Sequence, residues 1–378
     1  MIPGTFLALR EMRRALVRFG LLVVAVGLLV FLILTQQALQ DGLVNSFVGG
    51  IRNQSAPVLV YSVDAQKTLQ GSVIPPPLEG AVRSTDGVGA AAKLGQSTFT
   101  VEVDGAAESD AAIVGTDDPD LGRPSALTAG REPRSAAEAV GSDVDFEVGD
   151  QVTVVSAADV AEPVALTVVG LAENVQISVT PTLFTDFATY EAAVRAANPD
   201  AAGVLPSAIA VRPADGVGTA QLIDRIQEAA PEAEALTRQQ AADESPGVAA
   251  VRQSFQIIFL LYGLVVPLVT GLFFLIITLQ KAGSLVLLRA MGARSGVLAG
   301  ALLVQVGIVV ILGLAVGIGL YTPVSQARLG SLALAFDPTA VIVWSILLLV
   351  LGFVSAVVSV RRVLRIDPIE ATTGAGVR

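Results

Sequence analysis

Leu287-Leu288-Arg289-Ala290-Met291-Gly292-Ala293-Arg294 lies between two apolar runs, each long enough to cross a bilayer, and its reading decides the fold. Leu285, Leu288 and Met291 recur at helical spacing. Arg289 and Arg294 bracket the turn, Lys281 lies just upstream, and Gly292 stands where a short helix needs a left-handed cap. The stretch fits a short cytoplasmic helix that joins two membrane helices and docks on a partner. It also fits a basic loop that merely obeys the orientation rule for membrane proteins.

The composition frames this. The chain has 378 residues, of which 53% are hydrophobic and 15% charged, with a mean hydropathy of +0.67. That is too apolar for an ordinary soluble protein and too polar for membrane helices throughout, so bilayer and aqueous parts are both expected. There is no cysteine and no histidine. Disulfides, thiolate metal sites, Ser-His-Asp and Cys-His catalysis, and imidazole ligation are therefore excluded.

Residues 1–18 carry Arg10, Arg13, Arg14 and Arg18 and read as a cytoplasmic amphipathic helix. Residues 19–39 form a first membrane span; the run is long and lacks a small-x-small cleavage site, so a retained anchor is expected rather than a signal peptide. Residues 40–254 hold 30 acids and 12 bases, whereas the whole chain nets −10. A long acidic region of this kind translocates readily and belongs outside. Leu43, Phe47 and Ile51 continue the helical period beyond the span, which predicts a stalk that Pro57 ends.

Within this outer region Val58–Val63, Gln96–Val103, Ala111–Gly115, Leu166–Leu171 and Ala208–Arg212 read as strands. Phe146–Val154 reads as two β-rich runs about a Gly149-Asp150 turn. Thr185–Ala197 and Thr219–Ala230 read as helices, and Pro75-Pro76-Pro77 as a linker or rigid turn. Asp117, Asp118 and Asp120 surround Pro119 and read as a solvated turn rather than a metal site. The interleaving predicts an α+β domain large enough to bury its own core.

Three further spans follow at 255–280, 296–321 and 341–360, with Pro267 inside the first of them and Trp344 as an interface anchor in the last. Gly296/Gly300 and Gly313/Gly317 have the spacing that lets helices approach closely. Residues 281–295 and 361–378 are then cytoplasmic, and 322–340 form a short outer loop. Lys281, Arg289 and Arg294 in the loop and Arg361, Arg362, Arg365 and Arg378 in the tail agree with that orientation. The expected fold is a membrane protein with four transmembrane α-helices and a large α+β extracytoplasmic domain between the first two, in the cell membrane with both termini cytoplasmic.

This arrangement, with Leu287–Ala293, the ending Ile366-Asp367-Pro368-Ile369-Glu370-Ala371, and the outer stretches Gly130-Arg131-Glu132-Pro133, Val148-Gly149-Asp150-Gln151-Val152 and Val168-Val169-Gly170, resembles the permease subunit of MacB-like (FtsX-like) ABC transporters. The resemblance implies a homodimer in the lipid bilayer, driven by two copies of a separate ABC ATPase that carries the ATP-Mg. Leu285, Leu288, Arg289, Ala290, Met291, Gly292 and Arg294 would then form the coupling helix. The chain has no Gly-x-x-x-x-Gly-Lys-Ser/Thr loop, so a non-catalytic subunit without intrinsic cofactor or nucleic-acid partner is expected. ATPase closure would move the stalks and the outer domain, a mechanotransmission that needs no fixed tunnel.

Within that family the compact form with Thr278-Leu279-Gln280-Lys281 and the Asp367–Ala371 ending is most similar to HrtB-type haem exporter permeases. Haem as substrate implies a site open sideways to lipid. Without histidine or cysteine, Tyr262 and Tyr321 are candidates to face the iron, Gln36, Gln37, Gln40 and Asp41 cluster at the outer end of the first span, and Arg52, Arg252 and Arg328 are candidates to pair with propionates. Each has an ordinary alternative as an interface tyrosine, a hydrated helix-end amide or a snorkelling arginine. Export of another amphiphile (peptide, macrolide or lipid) and an FtsX-like scaffold activating a cell-wall hydrolase are the competing functions.

Overall fold

The computed structural model describes residues 9–10, 12–156, 163–201, 203–280, 295–325, 328–329, 332–334 and 336–364. The chain forms two compact units: Met1–Gln40, Ser254–Ala327 and Leu334–Arg378 make one, and Asp41–Gln253 with Arg328–Ala333 make the other.

The first unit is helical. Helix α1 runs without a break over Leu16–Arg52, so its last turns lie in the second unit. Among the described residues three helices are long and apolar enough to cross a membrane, within Leu16–Arg52, Val248–Val269 and Gly300–Val324, and Pro338–Val354 is a shorter apolar helix. Their exposed faces are apolar: Leu21, Val24, Leu28 and Leu32 on α1, and Ile257, Leu260, Leu261, Leu264 and Leu268 on the helix Val248–Gln280. Apolar surface so extended is not left to water. The buried side of the unit is a cluster of Phe19, Leu22, Val26, Val30, Ile33 and Leu34 with Val306, Val309, Val310 and Leu314.

The second unit is α+β. Its elements in order are β1 (Val58–Ser62), helix α2 (Pro76–Ser84), β2 (Val88–Val103), β3 (Ser109–Thr116), β4 (Ala129–Gly130), β5 (Glu138–Ser142), β6 (Gln151–Val154), β7 (Val164–Ala172) and β8 (Thr182–Asp186). There follow α3 (Phe187–Ala197), β9 (Ala208–Pro213), α4 (Thr219–Ala229), β10 (Ala233–Thr237) and α5 (Arg238–Asp243). The strand order is β10-β1-β9-β2-β3-β8-β5-β7-β4, with β6 pairing both β2 and β7. That double pairing closes β2, β3, β8, β5, β7 and β6 into a ring. Phe99, Val101, Ile113, Val152, Leu166, Val168 and Leu183 fill a core there, joined by Tyr190 and Ala193 of α3. A second core packs α2 and α4 through Leu78, Val82, Leu222 and Ile226 on Val58, Val60, Ile209 and Val211, and a third, the outer core, gathers Val44, Val48 and Ile51 of α1 with Leu59 and Tyr61. β3–β8 and β5–β7 are parallel; the other pairs are antiparallel.

The long helices α6 (Val248–Gln280), α7 (Ser295–Val324) and α8 (Pro338–Leu364) complete the chain, with a small hairpin of β11 (Arg328–Leu329) and β12 (Leu332–Ala333) between the last two. α6 continues through Pro267.

Several local expectations need correction. Pro75-Pro76-Pro77 is not a linker: Pro75 is the N-cap and Pro76 the first residue of α2, where the missing N–H costs nothing. Phe146–Val148 is not a strand, because Phe146 N–H bonds Ser142 O and Asp150 Oδ2 accepts the Glu147 N–H, which curls the segment. Thr185 belongs to β8; the helix starts at Phe187, after Asp186 accepts the Thr189 N–H as its cap. α1 ends at Arg52, before Pro57. The hairpin occupies part of the stretch expected to be only a loop.

Candidate functional site

In the helical unit the glycine spacing read from sequence separates into two cases. A Cβ on Gly313 would lie 2.5 Å from Val26 Cγ1, and one on Gly317 would lie 2.5 Å from Val30 Cβ and 2.7 Å from the Gly27 carbonyl oxygen. These glycines let α7 pack tightly on α1 within the chain. A Cβ on Gly296 or Gly300 would meet nothing within 4 Å among the described residues.

The same unit gathers aromatic and amide side chains from three helices. Phe259 of α6 lies 5.0 Å from the Trp344 ring of α8 and 6.4 Å from Tyr262, with Phe255 at 6.3 Å on its other side. Trp344 Nε1 donates to Gln37 Oε1 of α1 at 3.3 Å. Two sequence candidates, Gln37 and Tyr262, thus join one cluster through Trp344 and Phe259. Gln40 is half-buried, and its Oε1, like Thr35 Oγ1, is enclosed with no hydrogen-bond partner among the described residues. Gln36 is half-buried without a described bond. Tyr321, 2% exposed in the same helical core, lies 5.6 Å from the Phe336 ring. The cluster supplies flat ring faces of the kind a planar apolar ligand stacks on, with Gln37 Oε1 engaged by Trp344.

In the α+β unit two of the arginine candidates, Arg52 and Arg252, are already engaged, and Arg328 lies in the strand β11. Arg52, the last residue of α1, donates from Nη2 to Asp243 Oδ1 at 3.0 Å, and Arg252 of α6 donates from Nη2 to the same oxygen at 2.6 Å. Burial alone would raise the Asp243 carboxyl, but the hydrogen bonds from Arg252 and Gln239 and the charges of both arginines outweigh it and hold it below the usual range. Asp243 was not singled out from sequence; its partners are 191 and 9 residues away, and nothing local marks it.

The three outer signatures converge on one strand. Gly130 faces Gly170 across β4–β7, and Arg131 N–H bonds Val169 O at 2.9 Å. Gly149 N–H bonds Val168 O at 2.8 Å, and Val168 N–H bonds Asp150 O at 2.9 Å. Gly130 has φ +76°, and a Cβ there would lie 2.2 Å from Val169 O, so glycine is required. Arg131 then forks onto Glu138, at 2.7 and 2.6 Å. This bond, followed by the Arg134 N–H, pushes the Glu138 carboxyl down to about 2. The signatures build the β-ring.

Asp117 accepts from the Lys93 N–H and pairs with Arg83, and Asp118 accepts the Asp120 N–H, so these acids serve a turn. Leu285, Leu288, Arg289, Ala290, Met291, Gly292 and Arg294 lie outside the described residues, as do the 366–371 ending and the flank at Lys281.

No family model matches the chain. The protein named as the hemin transport system permease HrtB of Staphylococcus epidermidis is 25% identical over 111 residues, which is 29% of this chain and 32% of that protein. The chain is therefore matched to about a third of that relative's length. Among solved structures, the periplasmic region of MacB from Actinobacillus actinomycetemcomitans is 12% identical, aligns over 52% of this chain and 97% of that one, and has a TM-score of 0.35. The extracellular domain of the ABC-type transporter YknZ from Gram-positive bacteria is 8% identical over 48% and 99%, with a TM-score of 0.33. Over those 111 residues the chain is similar to the HrtB permease.

Proposed function

We propose that this chain is the membrane permease subunit of an ABC-type efflux system. It crosses the bilayer four times, works as a homodimer, and takes its power from a separate ATPase docked at Leu285–Arg294. The observation that carries this is the course of the two long helices. Leu16–Arg52 and Val248–Gln280 each combine a bilayer-length apolar run with a segment belonging to the α+β unit, so each can carry movement along its axis. The favoured cargo is haem, supported by the partial likeness to HrtB and by the Phe259, Tyr262, Trp344 and Gln37 cluster. Without histidine or cysteine, an iron ligand would have to come from tyrosine, methionine or a carboxylate. The same feature favours another flat amphiphile as the second reading.

The test is ATP hydrolysis by the reconstituted permease with its cognate ATPase, titrated with haem and with control amphiphiles. Stimulation by haem alone is expected; a flat response to haem removes it as cargo. Met291→Asp or Arg289→Glu is expected to abolish co-purification of the ATPase while the outer unit stays folded. Retained co-purification counts against the docking assignment. Because the chain has no cysteine, single introduced cysteines report sidedness without background. Labelling at Ala106 from the cytoplasmic side would overturn the topology.

A further inference from the structure

We propose that Arg52, Asp243 and Arg252 form a charge clamp that fixes the roots of the two long helices to the α+β unit and passes movement between them. The proposal rests on the permease reading above. One carboxylate oxygen, Asp243 Oδ1, is shared by guanidinium groups from the last residue of α1 and the first turns of α6. α5 holds that carboxylate in place. Thr237 and Gln240 form a capping box at its start, Ala241 and Ala242 are buried, and Arg238 Nη1 donates to Gln54 O at 2.7 Å. Gln239 Nε2 binds the other oxygen, Asp243 Oδ2, at 3.1 Å. α1 is seated independently: Gly50 N–H bonds Gln176 O at 2.9 Å, and Asn53 Nδ2 bonds Asn174 O at 2.7 Å.

The arrangement is asymmetric in charge. Arg52 sits at a helix C-terminus, where a cation is favoured, whereas Arg252 sits near the N-terminus of α6, where it is not. Asp243 answers Arg252 and leaves the triad with one positive charge in excess. Removing the carboxylate does more than delete two bonds. It leaves two guanidinium groups facing each other at the points where both helices leave the unit, and attraction becomes repulsion. An isolated exposed ion pair contributes little. Here the three side chains are only 24–34% exposed and two helices depend on one anion, so the pair's role is positional.

Asp243→Asn in the full chain, assembled with the ATPase, separates the possibilities. Hydrogen exchange is expected to rise in residues 45–52 and 248–253 and to stay unchanged in the β-ring. Unchanged exchange in both helix roots overturns the clamp whatever the protein transports. Haem-stimulated ATP hydrolysis is expected to fall about fivefold or more, the lower range of coupling between distant sites, with basal hydrolysis kept. Loosened roots with full stimulation overturn the coupling role. Asp243→Glu, which keeps the anion, and the swapped triple variant R52E/D243R/R252E are expected to restore stimulation; failure of both overturns a charge-based clamp. If the unsubstituted protein shows no stimulation by any amphiphile, the transport reading falls, and the exchange result still decides whether the clamp exists.

Discussion

Gly317 and Gly319 lie on the same helix, two residues apart, yet substitution by alanine should move stability in opposite directions. At Gly317 an added Cβ would sit 2.5 Å from Val30 Cβ, 2.6 Å from Val30 Cγ1 and 2.7 Å from the Gly27 carbonyl oxygen. Two of these atoms belong to a β-branched side chain that is itself only 1% exposed, and the third is backbone, so none can swing away. α7 must then move off α1 by close to an ångström and loosen the contacts of Val26, Val309, Val310 and Leu314. Overpacking of this kind costs about 1–3 kcal/mol. At Gly319 the new methyl meets nothing within 4 Å, and alanine gains up to about 1 kcal/mol of helix propensity, a value measured in water and an upper bound in lipid. The propensity gain is common to both positions, so the two variants should differ by the overpacking cost, about 1–3 kcal/mol. Unfolding of the full chain in mixed micelles, followed by Trp344 as the single tryptophan, reads this directly. Equal midpoints for Gly317→Ala and Gly319→Ala, or a Gly317→Ala protein more stable than the parent, would refute the packing argument.

Trp344→Phe keeps a ring against Phe259 but loses the Nε1 bond to Gln37, and is expected to cost about 0.5–1.5 kcal/mol, read by loss of helical circular dichroism because the variant has no tryptophan. Gly130→Ala forces a side chain into φ +76° against Val169 O and should cost about 1–3 kcal/mol, read as faster hydrogen exchange across 164–172. The Glu138 carboxyl lies below its ordinary value of 4.5, so its tie to Arg131 is fully present above that pH and is lost as pH falls through about 2. Arg131→Gln should move its titration, followed by carboxyl carbon shifts, back toward 4.5.

The parts of the fold legible in the sequence are those whose signal is local. Hydropathy finds the bilayer-length segments because twenty apolar side chains need no partner to be recognised. The extension of α1 to Arg52 was visible in Leu43, Phe47 and Ile51, of which Ile51 lies in the outer core and Phe47 packs on it. The start of α2 was also available: Leu78 and Val82 share a buried face, and Glu79 pairs with Arg83 four residues on, but three successive prolines outweighed them. Closure of the β-ring was not available. It depends on β6, four residues long, pairing with β2 and β7 at once, and no periodicity encodes a strand's second neighbour. In the candidate site, the tyrosines, glutamines and arginines were chosen for depth and charge. Trp344 was read as an anchor only, and its bond to Gln37 spans 307 residues.

Arg52 shows how the choice between substrate contact and clamp can be made by experiment. A guanidinium that receives a propionate contributes to substrate binding. Its loss in Arg52→Gln would then shift the haem concentration giving half-maximal ATPase stimulation and leave the maximum intact. A guanidinium that holds α1 to Asp243 contributes after binding, so its loss lowers the maximum and leaves the half-point in place. The geometry favours the second outcome, since Arg52 Nη2 is spent on Asp243 and Nη1 reaches Asn45 Oδ1 at 3.4 Å. A propionate could enter only by displacing a carboxylate that α5 already holds in position, a competition in which the tethered group has the advantage of effective concentration. A shifted half-point with an unchanged maximum would return Arg52 to the substrate site and remove it from the clamp.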